Sequence, residues 1–420
     1  MTEIDVRPEE LRDLASVFAP GHVEDPYPLY AQWRARRPIA RPHEYLFVLS
    51  RHDDCAAVLA DPAFGIAPAG AANPLRAALR PGARRDQPAG NAADHGVFAE
   101  VNTRSMLRMN PPDHSRLRRL VSGAFTPARV RALVPRIEAI ASELLGDVGS
   151  RFDVIGQLAL PLPVRVISEL LGIPEADRPR LVTWSEQLSR SLDPGFLLPP
   201  DVRATMRVAR DGFHEYLRAL IPERRRNPGE DLVSGLVAVH DEDGRLTEDE
   251  IITTCRLLLI AGHETTRSLI GGAVLALLRN PAQLAALSSD PGLTDRCVEE
   301  VLRYDPPVQL LVRSALAEAK IGDVVVPAGA TALMLVGAAN RDEVLGASPD
   351  AFDITRDARR HLAFGHGIHF CLGAPLARVE AAIALRHLVP LLPQTQLAQA
   401  PEWKPHTVLR GLEHLWLAAG

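Results

Sequence analysis

A cysteine in a glycine-rich segment near the carboxyl end is the residue whose setting most suggests chemistry. The segment runs from Phe364 to Pro375 and contains glycines at 365, 367 and 373. Glycine permits tight turns that leave backbone N–H groups free to point at a neighbouring atom. Pro375 suits the first turn of a helix, expected to continue through Leu391, and a helix N-terminus favours a thiolate over a thiol. The pattern therefore predicts a thiolate at Cys371.

Two other interpretations of this segment stay open on the residues alone. A lone cysteine is often an inert buried thiol. His366, His369 and Cys371 would also suit part of a zinc site, because zinc is bound by histidine and cysteine side chains. Other motifs have to decide among these interpretations.

A long apolar helix is predicted in the second half of the chain. Thr247 and Glu250 have the spacing of a capping box, and the helical pattern continues from Glu248 to Asn280, where Pro281 stops it. Such a helix is about 50 Å long, and a compact chain of this size has a diameter of about 55 Å. We therefore expect the helix to run through the core.

Small and polar residues occupy the middle of that helix. Ala261 and Gly262 remove side-chain bulk, so that a flat group can lie against the backbone. The Thr265 hydroxyl can donate to the carbonyl of Ala261 and open the helix locally. Glu264 and Thr265 together can pass protons into a dry site. A helix that reaches the surface here would explain the same residues.

A third segment, from Glu299 to Pro307, carries a carboxylate and a guanidinium one helical turn apart. Glu300 and Arg303 have the spacing of an ion pair, and the following prolines end the helix. Exposed pairs of this kind contribute little to stability. This pair is informative only together with the other motifs.

The composition excludes several classes of protein. The chain has 420 residues, 47 Lys+Arg and 52 Asp+Glu, for a formal net charge of −5. Hydrophobic residues at 46% and charged residues at 24% are ordinary globular values, which argues against a disordered, collagenous or coiled-coil chain. The acidic balance argues against nucleic-acid binding, and the four cysteines without a C-x-x-C pair argue against a disulfide framework. The polar N-terminus and short apolar runs predict a cytoplasmic protein without a membrane span.

The periodicity predicts a mainly α-helical chain with a small β-rich lobe. A strand is expected over 44–49, and helices over 53–59, 113–125, 127–145, 163–171, 174–192 and 202–220. Residues 65–95 are rich in Gly, Ala, Pro and Asn and are predicted to form a flexible loop or lid; a linker between domains is the alternative. The apolar stretch 193–200 is predicted to be irregular. We expect a single domain over residues 1–420.

The three motifs, in this order and spacing, resemble those of the cytochrome P-450 family of haem-thiolate monooxygenases, most closely its soluble bacterial members. The cysteine segment matches the family signature F-G-x-G-x-H-x-C-x-G. Residues 261–266 match A-G-x-E-T-T, residues 300–303 match E-x-x-R, and residues 111–119 match P-P-x-H-x-R-x-R-R. The resemblance covers nearly the whole chain and implies the cytochrome P-450 fold, in which a long central helix lies over a buried haem. One departure is the segment 341–352, which lacks the Pro and Phe that the family commonly has there.

The resemblance implies roles for the matching residues. Cys371 would be the proximal thiolate ligand of the iron in haem b (iron protoporphyrin IX), and Phe364 would shield it. Glu264 and Thr265 would be the acid–alcohol pair that delivers protons on the distal side.

Other matching residues would bind the cofactor, stabilise the fold or contact the substrate. The remaining cofactor contacts would be Ala261, Gly373 and the residues that hold the propionates, namely His114, Arg118, Arg313 and His369. Glu300 and Arg303 would be structural and locked to the segment near Asn340. The substrate would contact Leu257, Ala261, Gln309, Leu311, Val408 and Leu409, which form mostly apolar walls.

The expected reaction is the insertion of one oxygen atom from O2 into a small apolar secondary metabolite, by hydroxylation. Only 49 residues follow Cys371, too few for a fused electron-transfer domain, so we expect a separate ferredoxin and an NAD(P)H-dependent ferredoxin reductase. Eight arginines against one acid between residues 101 and 137 would suit an acidic carrier, although a solvated helix face explains them equally. The alternatives are a peroxide-using P-450, a non-catalytic haem or metal binder, and an interaction protein on a helical scaffold.

Overall fold

The structure, a computed structural model, describes residues 5–7, 9–19, 21–68, 71–79, 105–146, 148–243 and 246–420, and for 241–243 only the backbone. The helices are α1 Glu10–Val17, α2 Tyr27–Arg36, α3 His52–Ala60, α4 Pro74–Leu79, α5 Asp113–Ser122, α6 Pro127–Leu145, α7 Pro161–Leu171, α8 Arg178–Ser189, α9 Pro200–Arg226, α10 Leu232–Asp243, α11 Glu248–Arg279, α12 Pro281–Ser289, α13 Thr294–Tyr304, α14 Val336–Ala339 and α15 Ala374–Leu388. The strands are β1 Ile39–His43, β2 Leu46–Leu49, β3 Phe64–Gly65, β4 Arg151–Asp153, β5 Leu310–Ala315, β6 Ala319–Ile321, β7 Val324–Val326, β8 Thr331–Leu335, β9 Thr395–Leu397, β10 Glu402–Trp403, β11 Leu412–His414 and β12 Trp416–Ala419. The expectation of a mainly α-helical chain with a small β-rich part is confirmed.

The described chain forms two compact units. The first comprises the described residues within Met1–Gly96, Leu275–Cys371 and Trp403–Gly411, and the second comprises those within Val97–Val274, Leu372–Glu402 and Leu412–Gly420. The single domain expected over residues 1–420 stays a prediction.

The first unit is built on a five-stranded sheet with the order β1-β2-β8-β5-β3. Strands β2 and β8 are parallel, with Leu46 opposite Thr331, whereas β5 runs antiparallel to β8. Every residue of β8 is buried, as expected for a central strand covered on both faces. This sheet fixes the position of β5, which carries two of the predicted site residues.

The second unit is mainly helical. Helix α6 packs against α15, α8 packs against α9, and a three-stranded sheet has the order β4-β12-β9. Leu188, Met206 and Ile260 form part of one apolar cluster in this unit. The predicted irregular stretch 193–200 contains a short 3-10 turn at Gly195–Leu197, and Leu198 joins the same cluster.

Helix α11 begins at the predicted capping box. The Thr247 N–H donates to Glu250 Oε2 at 2.9 Å, and the Glu250 N–H donates to Thr247 Oγ1 at 3.2 Å. Residues 251–260 of this 32-residue helix are all buried. The expectation that it runs through a core is confirmed for this stretch.

The predicted loop or lid over 65–95 lies mostly outside the described residues. Residues 69–70 and 80–95 belong to the parts not described. Within the described part, Phe64–Gly65 pairs with β5 and Pro74–Leu79 forms helix α4.

Candidate active site

The cysteine segment is a tight loop whose shape depends on two glycines. Gly365 and Gly367 have φ values of +69° and +68°, in the left-handed region that favours glycine. A Cβ at residue 367 would lie 2.2 Å from the carbonyl oxygen of Leu59. A side chain there is therefore excluded by this steric clash as well as by the positive φ. The Cys371 N–H donates to the carbonyl of Phe364 at 2.9 Å and closes the loop.

Cys371 differs from the other three cysteines of the chain. Cys55, Cys255 and Cys297 are buried, whereas Cys371 is partly exposed. Burial raises the thiol pKa of Cys255 and of Cys297 to about 12, and burial also raises the thiol pKa of Cys55 well above its usual value. These three are inert thiols at neutral pH. Cys371 lies two residues before Gly373, the N-cap of α15, where the helix dipole favours a thiolate.

A buried ion pair supports the cysteine segment within the first unit. Arg303 donates to both carboxylate oxygens of Glu300, at 2.7 and 2.8 Å, and both side chains are at most 1% exposed. Arg303 also donates to the carbonyl of Asn340, whose side chain accepts from the Leu362 N–H at 2.7 Å. The pair therefore reaches the backbone two residues before Phe364.

The segment 341–352, which departs from the family pattern, is nevertheless well packed. The Arg341 guanidinium lies 3.3 Å from the ring centre of Tyr27 and 3.9 Å from that of Tyr304, a favourable cation–π arrangement. Asp342 accepts from the N–H of His52 at 2.9 Å.

In the second unit, the middle of α11 contains the side-chain hydrogen bond that the sequence predicts. The Thr265 hydroxyl donates to the carbonyl of Ala261 at 2.5 Å. Ala261 is exposed and Gly262 is half-buried, although both follow ten buried residues. The backbone of α11 is therefore accessible at Ala261 and Gly262, where a flat group can lie against it.

Glu264 is buried beside charged neighbours. Its side chain is 1% exposed, and Oε1 lies 3.9 Å from Arg267 Nη1 and 3.8 Å from His263 Nδ1. His263 Nδ1 is also hydrogen-bonded to Ser185 Oγ at 2.7 Å. The sequence analysis missed Arg267, although a cation three residues after a buried carboxylate on a helix is a readable signal.

The four predicted propionate-binding residues lie in both units. Arg313 is on β5 and His369 is in the cysteine segment, whereas His114 and Arg118 are one turn apart on α5. His114 is 1% exposed.

The surroundings of Arg313 indicate whether a carboxylate of a bound cofactor would fit beside its guanidinium. It is 8% exposed, and burial lowers its guanidinium pKa to about 10. Its Nη1 donates to the carbonyl of Val312, and no carboxylate pairs with it in the described part of the chain. A buried cation normally requires an anion, so the carboxylates of a cofactor such as haem fit this position.

The predicted substrate residues differ in their surroundings. Leu311 is half-buried, and its Cδ1 lies 4.0 Å from the position that a Cβ at Gly365 would take. Leu257 is 8% exposed on α11, and Leu409 is 3% exposed and bridged to Val308.

Val408 and Gln309 complete the predicted substrate residues. Val408 is half-buried, and its carbonyl accepts from the backbone N–H of Gln309. The side-chain amide of Gln309 donates to the carbonyl of Pro306 at 2.7 Å, and its Oε1 lies against Gly337. These contacts hold the Gln309 side chain within the first unit.

No preformed metal cluster accompanies the cysteine. Among the described residues, no three or more His, Cys, Asp or Glu side chains are grouped to hold a metal ion. A zinc site at His366, His369 and Cys371 therefore has no support from the geometry.

Comparison with known proteins decides the family. The family model described as "Cytochrome P450" matches residues 83–392. The chain belongs to the cytochrome P450 family. It is a cytochrome P450 monooxygenase, and the family implies a haem-iron cofactor.

Relatives support this P450 assignment over most of the chain. It is 41% identical to cytochrome P450 monooxygenase PikC of Streptomyces venezuelae, over 93% of this chain and 90% of that protein. It is 39% identical to vitamin D(3) 25-hydroxylase of Pseudonocardia autotrophica, over 96% of each chain. The ligand-free crystal structure of Mycobacterium smegmatis CYP164A2 is 43% identical, with a TM-score of 0.86, and covers 97% of this P450 and 100% of that chain. The cytochrome P-450 fold predicted from the motifs is thereby confirmed.

The helices differ from membrane spans in length and hydropathy. In the described part of this P450, no single helix is long and apolar enough to cross a bilayer. The adjacent helices Glu248–Arg279 and Pro281–Ser289 reach that length and hydropathy only together, and they are bent by 107°.

Proposed function

We propose that this P450 binds haem b through the thiolate of Cys371 and inserts one oxygen atom from O2 into a small apolar molecule by hydroxylation. The observation that carries the proposal is the cysteine loop. Its thiol is partly exposed beside a helix N-terminus, whereas the other three cysteines are buried and inert. When bound, haem supplies the iron that activates dioxygen, with electron donation from the thiolate favouring O–O cleavage.

The surrounding residues would hold and orient the cofactor. Phe364 would shield the sulfur, and the backbone around Gly373 would face it at the N-terminus of α15. Arg313 would pair with a propionate, which supplies the anion that this buried cation requires. Ala261 leaves room for the flat macrocycle, and the remaining proposed propionate contacts are His114, Arg118 and His369.

Glu264 and Thr265 would control proton delivery. The Thr265 hydroxyl donates to Ala261 in the described state, so its oxygen remains able to accept a proton or a hydrogen bond. Glu264 is buried beside a cation. Its carboxylate would accept a proton and pass it on while the side chain stays in the protein interior. The presence of this pair favours O2 over peroxide as the oxidant.

The proposed substrate wall is apolar. It would comprise Leu257, Ala261, Gln309, Leu311, Val408 and Leu409, with the side-chain amide of Gln309 oriented by its hydrogen bond to the carbonyl of Pro306. The similarity to a vitamin D(3) 25-hydroxylase supports an apolar substrate and hydroxylation as the reaction. A secondary metabolite with a large apolar body suits such walls.

Electrons would come from a separate ferredoxin and an NAD(P)H-dependent ferredoxin reductase. Arg119, Arg129 and Arg131 are exposed in the second unit, and the described part of the chain contains no ion pair to any of them. Exposed cations accelerate the approach of an acidic carrier. Because these donors use the cytoplasmic nicotinamide pool, the proposal places the enzyme in the cytoplasm.

The test of the thiolate assignment is the spectrum of the reduced protein with carbon monoxide. The wild type should show the red-shifted Soret band of thiolate ligation. Cys371→Ala should abolish the band, whereas the matched variant Cys297→Ala, which removes a buried inert thiol, should retain it. A red-shifted band that persists in Cys371→Ala would overturn the assignment.

A further inference from the structure

Arg267 is a buried cation beside the proposed acid–alcohol pair. Arg267 lies one helical turn after Glu264 on α11, so both side chains project from the same face of the helix. Their side chains are 2% and 1% exposed. A buried carboxylate requires a cation or hydrogen-bond donors, and Arg267 lies close enough to Glu264 to supply the charge.

Arg267 is shared by three carboxylates. Its Nη1 lies 3.3 Å from Glu186 Oε1 on α8 and 3.9 Å from Glu264 Oε1, and its Nη2 lies 3.5 Å from Glu413 Oε2. The side chains of Glu186 and Glu413 are 39% and 44% exposed. One guanidinium therefore lies between a buried carboxylate and two half-exposed carboxylates.

The guanidinium is fixed mainly by groups other than Glu264. Its Nη2 donates to the backbone carbonyls of Leu412 at 3.3 Å and Glu413 at 3.1 Å. Nη1 donates a hydrogen bond to Glu186, whereas the 3.9 Å separation from Glu264 exceeds a hydrogen bond. Arg267 thus acts on Glu264 through its charge, and Glu264 can move without breaking a hydrogen bond to it.

The described titratable and charged groups near Glu264 come from three elements. His263 and Arg267 lie on α11, Glu186 on α8 and Glu413 on β11. His263 is held at Nδ1 by Ser185, which makes it a fixed neighbour. The two half-exposed glutamates are therefore the members of this group that are most accessible to solvent.

We propose that Arg267 is a positioning residue that holds Glu264 and ties its protonation to the half-exposed carboxylates Glu186 and Glu413. This inference rests on the proposed role of Glu264 in proton delivery. It follows that the charge at the surface near residues 186 and 413 sets the protonation of a buried relay group. A partner or ion that neutralises either surface carboxylate would strengthen the hold of Arg267 on Glu264.

The test is an infrared pH titration of the ferric haem-loaded protein. The band of protonated Glu264 is identified by its loss in Glu264→Gln. Arg267→Gln should raise the titration midpoint of this band by about 1 pH unit or more, because an opposite charge at this distance is removed. Arg267→Lys, which keeps the charge, should restore a midpoint close to that of the wild type.

The surface variants give shifts of the opposite sign. Glu186→Gln should lower the midpoint, because a competing negative charge is lost, and Glu413→Gln should lower it less, because Glu413 contacts the other nitrogen. The control Glu169→Gln, which removes a partner of Arg136 in another ion pair, should leave the midpoint unchanged.

A purely structural role for Arg267 predicts a different result. Arg267→Gln would then lower the melting temperature and leave the Glu264 midpoint unchanged, which would overturn the proposal. If Arg267→Gln does not fold, unchanged midpoints in both Glu186→Gln and Glu413→Gln would overturn it instead. The carbon monoxide spectrum of the same samples tests haem ligation separately, so failure of the proposed function is distinguishable.

Discussion

The cysteine loop and the acid–alcohol turn of α11 are specified in different ways. The loop depends on the backbone, with Gly365 and Gly367 at positive φ and the Cys371 N–H closing it onto Phe364. The turn of α11 depends on side chains, namely the Thr265 hydroxyl that donates to the Ala261 carbonyl and the buried Glu264 beside Arg267. The loop therefore tolerates no added Cβ at its tightest point, whereas the turn is sensitive to charge more than to volume.

The largest expected effect is on the pH dependence of the free energy of unfolding. It concerns Glu380 on α15, a buried carboxyl group that, unlike Glu264, has no cation beside it among the described residues. Glu380 is 2% exposed, its Oε2 has no hydrogen-bond partner in the described part of the chain, and burial raises its pKa from 4.5 to about 8. The unfolded chain loses this proton near pH 4.5 and the folded chain near pH 8. The free energy of unfolding should therefore fall by about 3 kcal/mol between pH 5 and 8.

Glu380→Gln should remove this fall, as measured by urea unfolding across the pH range. The control Glu175→Gln, at a side chain that is 84% exposed, should keep it. An unchanged pH dependence in Glu380→Gln would contradict a neutral buried carboxyl group at this position.

The next effect tests the backbone dependence of the cysteine loop. Gly367→Ala places a Cβ 2.2 Å from the Leu59 carbonyl and should destabilise the fold by about 2–3 kcal/mol and lower haem incorporation. Gly322→Ala is the matched control, since Gly322 also has a positive φ but has no atom within 4 Å of the added Cβ. It should cost about 1 kcal/mol, the backbone strain alone. Equal losses in the two variants would show that the contact with Leu59 is unimportant.

The smallest effect on stability is expected at the acid–alcohol turn. Thr265→Val keeps the shape and removes the hydroxyl, so the free energy of unfolding should change by less than about 1 kcal/mol. With a surrogate ferredoxin and reductase, the share of reducing equivalents released as hydrogen peroxide should nevertheless rise, and Thr265→Ser should restore coupling. Unchanged peroxide release in Thr265→Val would argue against a proton-relay role.

Local signals in the sequence were sufficient for several helix bounds. The capping box predicted the start of α11, and Pro127 predicted the start of α6, because both act within one turn of the chain. Helix α9 continues to Arg226, past its predicted end at residue 220, because an internal proline at 222 costs one hydrogen bond that tertiary packing offsets. Helix α15 stops at Leu388 instead of Leu391, because Pro390 lacks the N–H that the next helical hydrogen bond requires.

The parts of the site that the sequence could not predict depend on distant residues. The contact of Arg267 with Glu413 joins positions 146 apart, and Arg303 reaches the carbonyls of Pro349 and Ala351. No local pattern encodes such pairings, because they follow from how separate elements pack. The motifs predict which residues carry the chemistry. The packing of separate elements determines which charged groups lie near those residues.

The contrast among the four cysteines has a practical consequence for following assembly of the holoprotein. At neutral pH, an alkylating reagent should modify the chain once, at Cys371, because the other three sulfurs are inaccessible and protonated. Mass spectrometry of such adducts would measure the fraction of molecules that have not yet bound their prosthetic group, independently of absorbance and enzymatic activity.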